Sequence, residues 1–148
     1  MTVTNHAITA ANISLAFQKW WVIPVVFASH FVLDSLPHYG EEPGGRGKRF
    51  ITIQAIDATL LVVVFFLALS NPANNNLVVW LAMVTAISPD IIWVYRFVHE
   101  QRGKINMPVS SFSKFHTKFN WLEQSWGWAL EVGWFAIMLV ILVKLLPL

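Results

Sequence analysis

The chain has no cysteine, which excludes disulfides and every thiolate metal site. Charge is scarce as well. Asp, Glu, Lys and Arg together make up 12% of the residues against 56% apolar, and mean hydropathy is +0.57. Water could not solvate most of the surface that such a composition exposes. The net charge is only +2, and the basic residues sit in short connecting segments. A continuous basic surface, on which nucleic-acid affinity rests, is therefore missing, and nucleic acid is excluded as a partner. Also absent from the first stretch are a basic n-region and a small-residue cleavage site, so no processing is expected.

Apolar and aromatic bulk is what the chain has in quantity. Eight Trp and eleven Phe are side chains that settle at bilayer boundaries. Five apolar segments can be read: 6–17, 20–36, 50–69, 77–97 and 112–146. The first is short for a span, which needs about 20 residues. The last is too long for one, and divides into an interfacial stretch (112–121) and a spanning helix from about Gln124. The runs are continuously apolar rather than alternating, which favours helices over a β-barrel. The expected fold is all-α: one domain, residues 1–148, forming a polytopic membrane bundle of about four to five embedded helices.

Connectors carry turn chemistry: EEPGGRG at 41–47, SNPANNN at 70–76 and the basic loop 102–108. Arg46, Lys48 and Arg49 follow the second segment, and Arg96, Arg102, Lys104, Lys114 and Lys118 follow the fourth. The connector after the third has no charge. Counting Lys and Arg in short loops puts the second and fourth connectors in the cytoplasm.

That topology gathers the ionisable residues on one side. SHFVLDSLPHYG (29–40) places His30, Asp34 and His38 at the cytoplasmic end of the second segment. Asp57, Asp90, His116 and Glu131 reach the same side from three other segments, and His6 joins them if the first segment starts inside. A lone charge in hydrocarbon costs at least about 2.5 kcal/mol, so a convergence of this kind needs a reason. Imidazoles and carboxylates are N and O ligands that suit Zn first, then Mn or Fe. His30 and Asp34, one helical turn apart, face the same way and can bind one ion, or the aspartate can bridge two. Pro37 frees His38 from the helix, and Pro89 opens the helix beside Asp90.

The expected metal ligands are His30, Asp34 and Asp90, then His6, His116 and Asp57; His38 and Glu131 are the outer acid–base candidates. Lys48, Arg49, Arg96 and Lys118 could hold a phosphate, such as that of a lipid headgroup. Duller readings stand beside these. HxxxD can be a hydrogen-bonded pair, Asp57 can pair with an arginine from the adjacent loop, Asp90 can be a packing or capping acid, and FSKFHTKFNW can simply bind a membrane surface.

NHAITAANIS, SHFVLDSLPHYG, the helix-borne Asp57, SPD (88–90) and KFH (114–116) occur together in an order that resembles the small bacterial membrane-bound metal-dependent hydrolases, the YdjM-like, LexA-regulated family. The resemblance implies a multi-pass inner-membrane protein with a divalent metal site and membrane lipids around it. Larger members look as though they carry PDxD and HRxxTH motifs; here Asp90 and His116 alone remain of these. A fainter similarity is to zinc phospholipase C and single-strand nucleases, whose HxxxD helix supplies a bridging aspartate. The leading expectation is a hydrolase acting on a phosphoester. The alternative is a non-enzymatic membrane protein whose polar residues form a helix-packing or ion- or proton-conducting network.

Overall fold

The computed structural model describes residues 1–39, 48–70, 76–101 and 111–146, and within these all side chains but those of 49, 76 and 92–101. The connectors 41–47 and 102–108 and most of 70–76 therefore lie outside the described residues, as do the side chains of Arg49 and Arg96. Helix dominates: α1 (Val3–Phe17), α2 (Val22–Asp34), α3 (Lys48–Leu69), α4 (Asn76–Gln101), α5 (Ser111–Thr117) and α6 (Trp128–Leu145). Two short strands, β1 (His38–Tyr39) and β2 (Glu123–Gln124), pair in parallel. The sequence reading had no strand here.

α1 occupies the centre and packs against α2, α3, α4 and α6. It is also the polar helix. Thr4, Asn5, His6, Thr9, Asn12 and Ser14 are all buried. One stripe of it forms a ladder onto α6: Asn5 Nδ2 donates to the Glu131 carbonyl (3.2 Å), Trp134 Nε1 donates to Thr9 Oγ1 (3.0 Å), and Asn12 Nδ2 donates to the Met138 carbonyl (2.9 Å). The spacing of four and three residues keeps all three rungs on one face. Elsewhere on α1, Ala7, Ala10 and Ala11 are fully buried in the same cluster as Ala82 and Ala86 of α4. Small residues let helix backbones approach closely, and polar ones act as glue between them.

The outer helices are built the opposite way. Phe50–Leu69 and Trp128–Leu145 are the two helices, among the described residues, long and apolar enough to cross a membrane, yet only 11% of each window is buried. Val62 is 69% exposed and Phe66 74%. A core helix of a water-soluble protein would hide such side chains, and here it is the polar helix that is hidden. By length α1 and α2, with 15 and 13 residues, span roughly 22 and 20 Å at 1.5 Å per residue, short of a hydrocarbon core of about 30 Å.

α1 ends at Gln18, whose left-handed backbone (φ 49°) returns its N–H to the Ser14 carbonyl at 2.8 Å. The turn then exposes Trp20 and Trp21 beside Phe17. At the opposite end of the bundle, Trp121, Trp126 and Trp128 are exposed around the start of α6. Gly127 caps that start, and a Cβ there would overlap the backbone of His38. Its φ of −56° suits any residue, so the requirement is space alone. Gly127→Ala should therefore push β1 off α6 and lower stability by about 2 kcal/mol, read as a fall in the thermal midpoint in detergent, while Gly133→Ala, with open space around it inside α6, should hold or raise the midpoint, alanine being the better helix former by about 0.5–1 kcal/mol.

Candidate metal centre

Five side chains from four helices meet at one end of α1. α2 presents His30 and Asp34 one turn apart, with His30 Nε2 3.1 Å from Asp34 Oδ2. α5 brings His116, whose Nε2 lies 2.8 Å from Asp34 Oδ2 and 2.9 Å from His30 Nε2. From α1, His6 Nε2 lies 3.0 Å from Asp34 Oδ1. α4 adds Asp90, with Oδ1 3.8 Å from His30 Nε2 and 4.0 Å from His116 Nε2, and Oδ2 4.0 Å from His6 Nε2. The Met1 amino nitrogen is 2.6 Å from Asp34 Oδ1. His6, His30 and Asp34 are buried, with Asp34 1% exposed.

Local sequence explains why these groups point inwards. Pro89 lacks the N–H that the Thr85 carbonyl would have received in a regular helix, and the Ser88 hydroxyl donates there instead at 2.8 Å. One residue along, the Ala86 carbonyl accepts a 2.7 Å hydrogen bond from His30 Nδ1. A carbonyl can only accept, so Nδ1 carries the proton and Nε2 of the neutral ring offers a lone pair to the cluster. His116 is seated by aromatic packing. Phe31 of α2 meets the rings of Phe112, Phe115, His116 and Phe119, its centroid 5.1 Å from that of Phe119 and 5.9 Å from that of His116. The short α5 is thus clamped onto α2.

Ligand atoms of His30, Asp34, Asp90 and His116 all lie within 4.8 Å of one another. Donors bound at about 2.0–2.2 Å to one ion stand roughly 3–4 Å apart, so with a small inward movement the set could hold a metal ion. A second observation agrees: Asp90 Oδ2 is buried and has no hydrogen-bond partner among the described residues. A buried acceptor of this kind is costly unless something meets it.

The other candidates from the sequence are placed elsewhere. Asp57 accepts from the backbone N–H groups of Val3 (Oδ2, 3.1 Å) and Thr4 (Oδ1, 3.1 Å), and its own carbonyl accepts from the Thr4 hydroxyl at 2.8 Å. It caps α1 from a neighbouring helix. Glu131 Oε1 accepts from the N–H groups of Thr2 (3.2 Å) and Tyr39 (3.3 Å). His38 is buried with Nδ1 donating to the Leu36 carbonyl at 2.8 Å, and its Nε2 is 3.8 Å from Glu123 Oε1. These three acid–base groups hold backbone in place around the cluster rather than completing it. Lys48 and Lys118 are exposed. Sequence reasoning did not foresee the capping roles of Asp57 and Glu131; the unpaired N–H groups at the start of any helix were the signal that pointed to them.

Comparison with protein-family models, with curated proteins and with solved structures finds no match.

Proposed function

We propose that the chain is a multi-pass protein of the bacterial inner membrane, with four to five embedded helices, that holds a divalent transition metal at this cluster and hydrolyses a phosphoester such as a lipid headgroup. The membrane part is supported by the reversed distribution of polarity, with a polar α1 inside and apolar α3 and α6 outside. Exposed Trp20 and Trp21 at one end and Trp121, Trp126 and Trp128 at the other make two aromatic girdles, which favour the headgroup level of a bilayer. The cluster then lies at the level of the second girdle. Lys48 and Lys118 flank that end, which the positive-inside pattern assigns to the cytoplasm.

The observation that carries the metal is the fixed tautomer of His30, with Nδ1 on the Ala86 carbonyl and Nε2 aimed at Asp34 and His116. Outer hydrogen bonds of this kind orient metal-binding histidines. When bound, a divalent ion supplies Lewis-acid catalysis and acidifies water near neutral pH. The chain's own residues hold it, exclude bulk water on the side of α1 and present basic side chains to a phosphate.

Metal analysis of detergent-purified protein tests this. Wild type should carry stoichiometric Zn, Mn or Fe, and His30→Gln less than about a tenth as much, given the 10- to 100-fold losses that even outer-shell changes produce. Equal and substoichiometric metal in both would leave the second reading, a hydrogen-bonded packing network. That reading draws on the polar ladder between α1 and α6 and on the contacts of Asp34 with His6, His116 and the Met1 amino group.

A further inference from the structure

Asp34 and Asp90 each divide their two oxygens in the same manner. Asp34 Oδ2 faces His30 (3.1 Å) and His116 (2.8 Å), while Asp34 Oδ1 faces His6 (3.0 Å) and the Met1 amino nitrogen (2.6 Å). Asp90 Oδ1 faces His30 (3.8 Å) and His116 (4.0 Å), while Asp90 Oδ2 faces His6 (4.0 Å). The donors thus form two sets that share both carboxylates.

Ring geometry separates the same sets. A metal lies in the plane of the imidazole that binds it. His30 and His116 have centroids 5.0 Å apart and planes 34° from parallel, but their Nε2 atoms are only 2.9 Å apart, close enough for both to bind one ion. His6 and His30 are stacked instead, centroids 4.0 Å apart and planes 26° from parallel. Two such planes do not meet close to the rings, and because each metal lies in the plane of its own imidazole, the two rings serve two points and not one. Carboxylate-bridged ions in two-metal hydrolytic sites lie about 3.5–4 Å apart, which matches the separation of the stack.

Resting on the metal reading above, we infer that the centre is dinuclear, with Asp34 and Asp90 bridging one ion held by His30 and His116 and a second held by His6. The two positions are unequal. The first has four protein donors, and His30 is locked by Ala86. The second has three side-chain donors, His6 Nε2, Asp34 Oδ1 and Asp90 Oδ2, with the Met1 amino nitrogen beside them at 2.6 Å from Asp34 Oδ1, and His6 Nδ1 is buried without a partner among the described residues. Three protein donors leave a coordination position open, the mark of a catalytic rather than a structural site. The His6 position is therefore the weaker one and the one that receives substrate. Two-ion sites clamp both the entering and the leaving oxygen of an in-line displacement, so the substrate class is a phosphoester.

The test is Mn(II) titration of the full chain in detergent, followed by low-temperature electron paramagnetic resonance. Wild type should take up about two Mn(II) per chain in a tight and a weaker step, and the second step should convert the isolated-ion hyperfine pattern into a spin-coupled multiline spectrum. His6→Gln should keep the tight step, bind about one, and show only the isolated pattern. The spin coupling is read on wild type, so the inference stands or falls even if the variant does not fold. A wild type that saturates at one magnetically isolated Mn(II) overturns the dinuclear assignment and leaves the single-metal reading intact. A wild type that binds no Mn(II), Zn(II) or Fe(II) above the detergent blank overturns both.

Discussion

Asp34→Asn should bind metal at least about 100-fold more weakly than wild type and lose the stabilisation that metal confers. Both oxygens of Asp34 are engaged, Oδ1 by His6 and the Met1 amino group and Oδ2 by His30 and His116. Asparagine keeps the shape but replaces one oxygen with an NH2 that cannot bind a cation, and it removes the negative charge. Metal that binds only the folded state stabilises it by about 2.7 kcal/mol at a free concentration 100 times the dissociation constant. A chelator should therefore lower the thermal midpoint of wild type in detergent and leave that of Asp34→Asn where it was. A chelator effect of equal size in both proteins would place the metal somewhere other than this cluster.

The second large effect should come from a carboxylate outside the cluster. Asp57→Ala removes the acceptors of the Val3 and Thr4 N–H groups, and the first turn of α1 itself holds no acid to take its place. A buried donor left without a partner costs about 1–3 kcal/mol, so two should cost roughly 4 kcal/mol. Only the Thr4 hydroxyl bond to the Asp57 backbone carbonyl survives the change. Asp57→Asn retains one acceptor oxygen and should fall between wild type and alanine in thermal stability. Metal content sorts the roles: Asp57→Asn should purify with wild-type metal, because its carboxylate binds backbone, whereas Asp34→Asn should not.

Much of the candidate centre was legible because topology, more than any single motif, brings it together. The expected alternation of spans and basic connectors assigns His30, Asp34, Asp90 and His116 to one end, and the structure gathers those four. SPD could be read as an opened helix, and Pro89 does sit within α4 with Ser88 filling the vacated carbonyl. The division between ligands and caps was not legible. Asp57 and Asp90 are both lone acids in apolar helices, and nothing local tells the one that meets imidazoles from the one that meets the N–H groups of a distant helix. The β1–β2 pairing escaped for a related reason. Two residues on each side give no alternation to detect, and their register, His38 with Glu123 and Tyr39 with Gln124, sits where Gly127 closely approaches the His38 backbone, a contact between distant parts of the chain. α1 was visible as a helix too short to span. That it forms the core followed from the Asn5, Thr9 and Asn12 stripe, which has meaning only opposite α6.

That stripe also bears on how the chain is made. α1 is synthesised before α6, and domains emerge from the ribosome N-terminal part first. Yet the groups that receive Asn5, Thr9 and Asn12 are Glu131, Trp134 and Met138, the last long element to emerge. Asparagine is unwelcome in lipid on its own, because an unmet polar group there costs several kcal/mol. On the proposed membrane placement, α1 then waits at the membrane surface until α6 is in the bilayer and can admit it. The order of insertion becomes the reverse of the order of synthesis for this one helix. A nascent chain halted before Glu131 should leave α1 open to proteases and aqueous thiol reagents at an engineered cysteine, and release of the full chain should close it off.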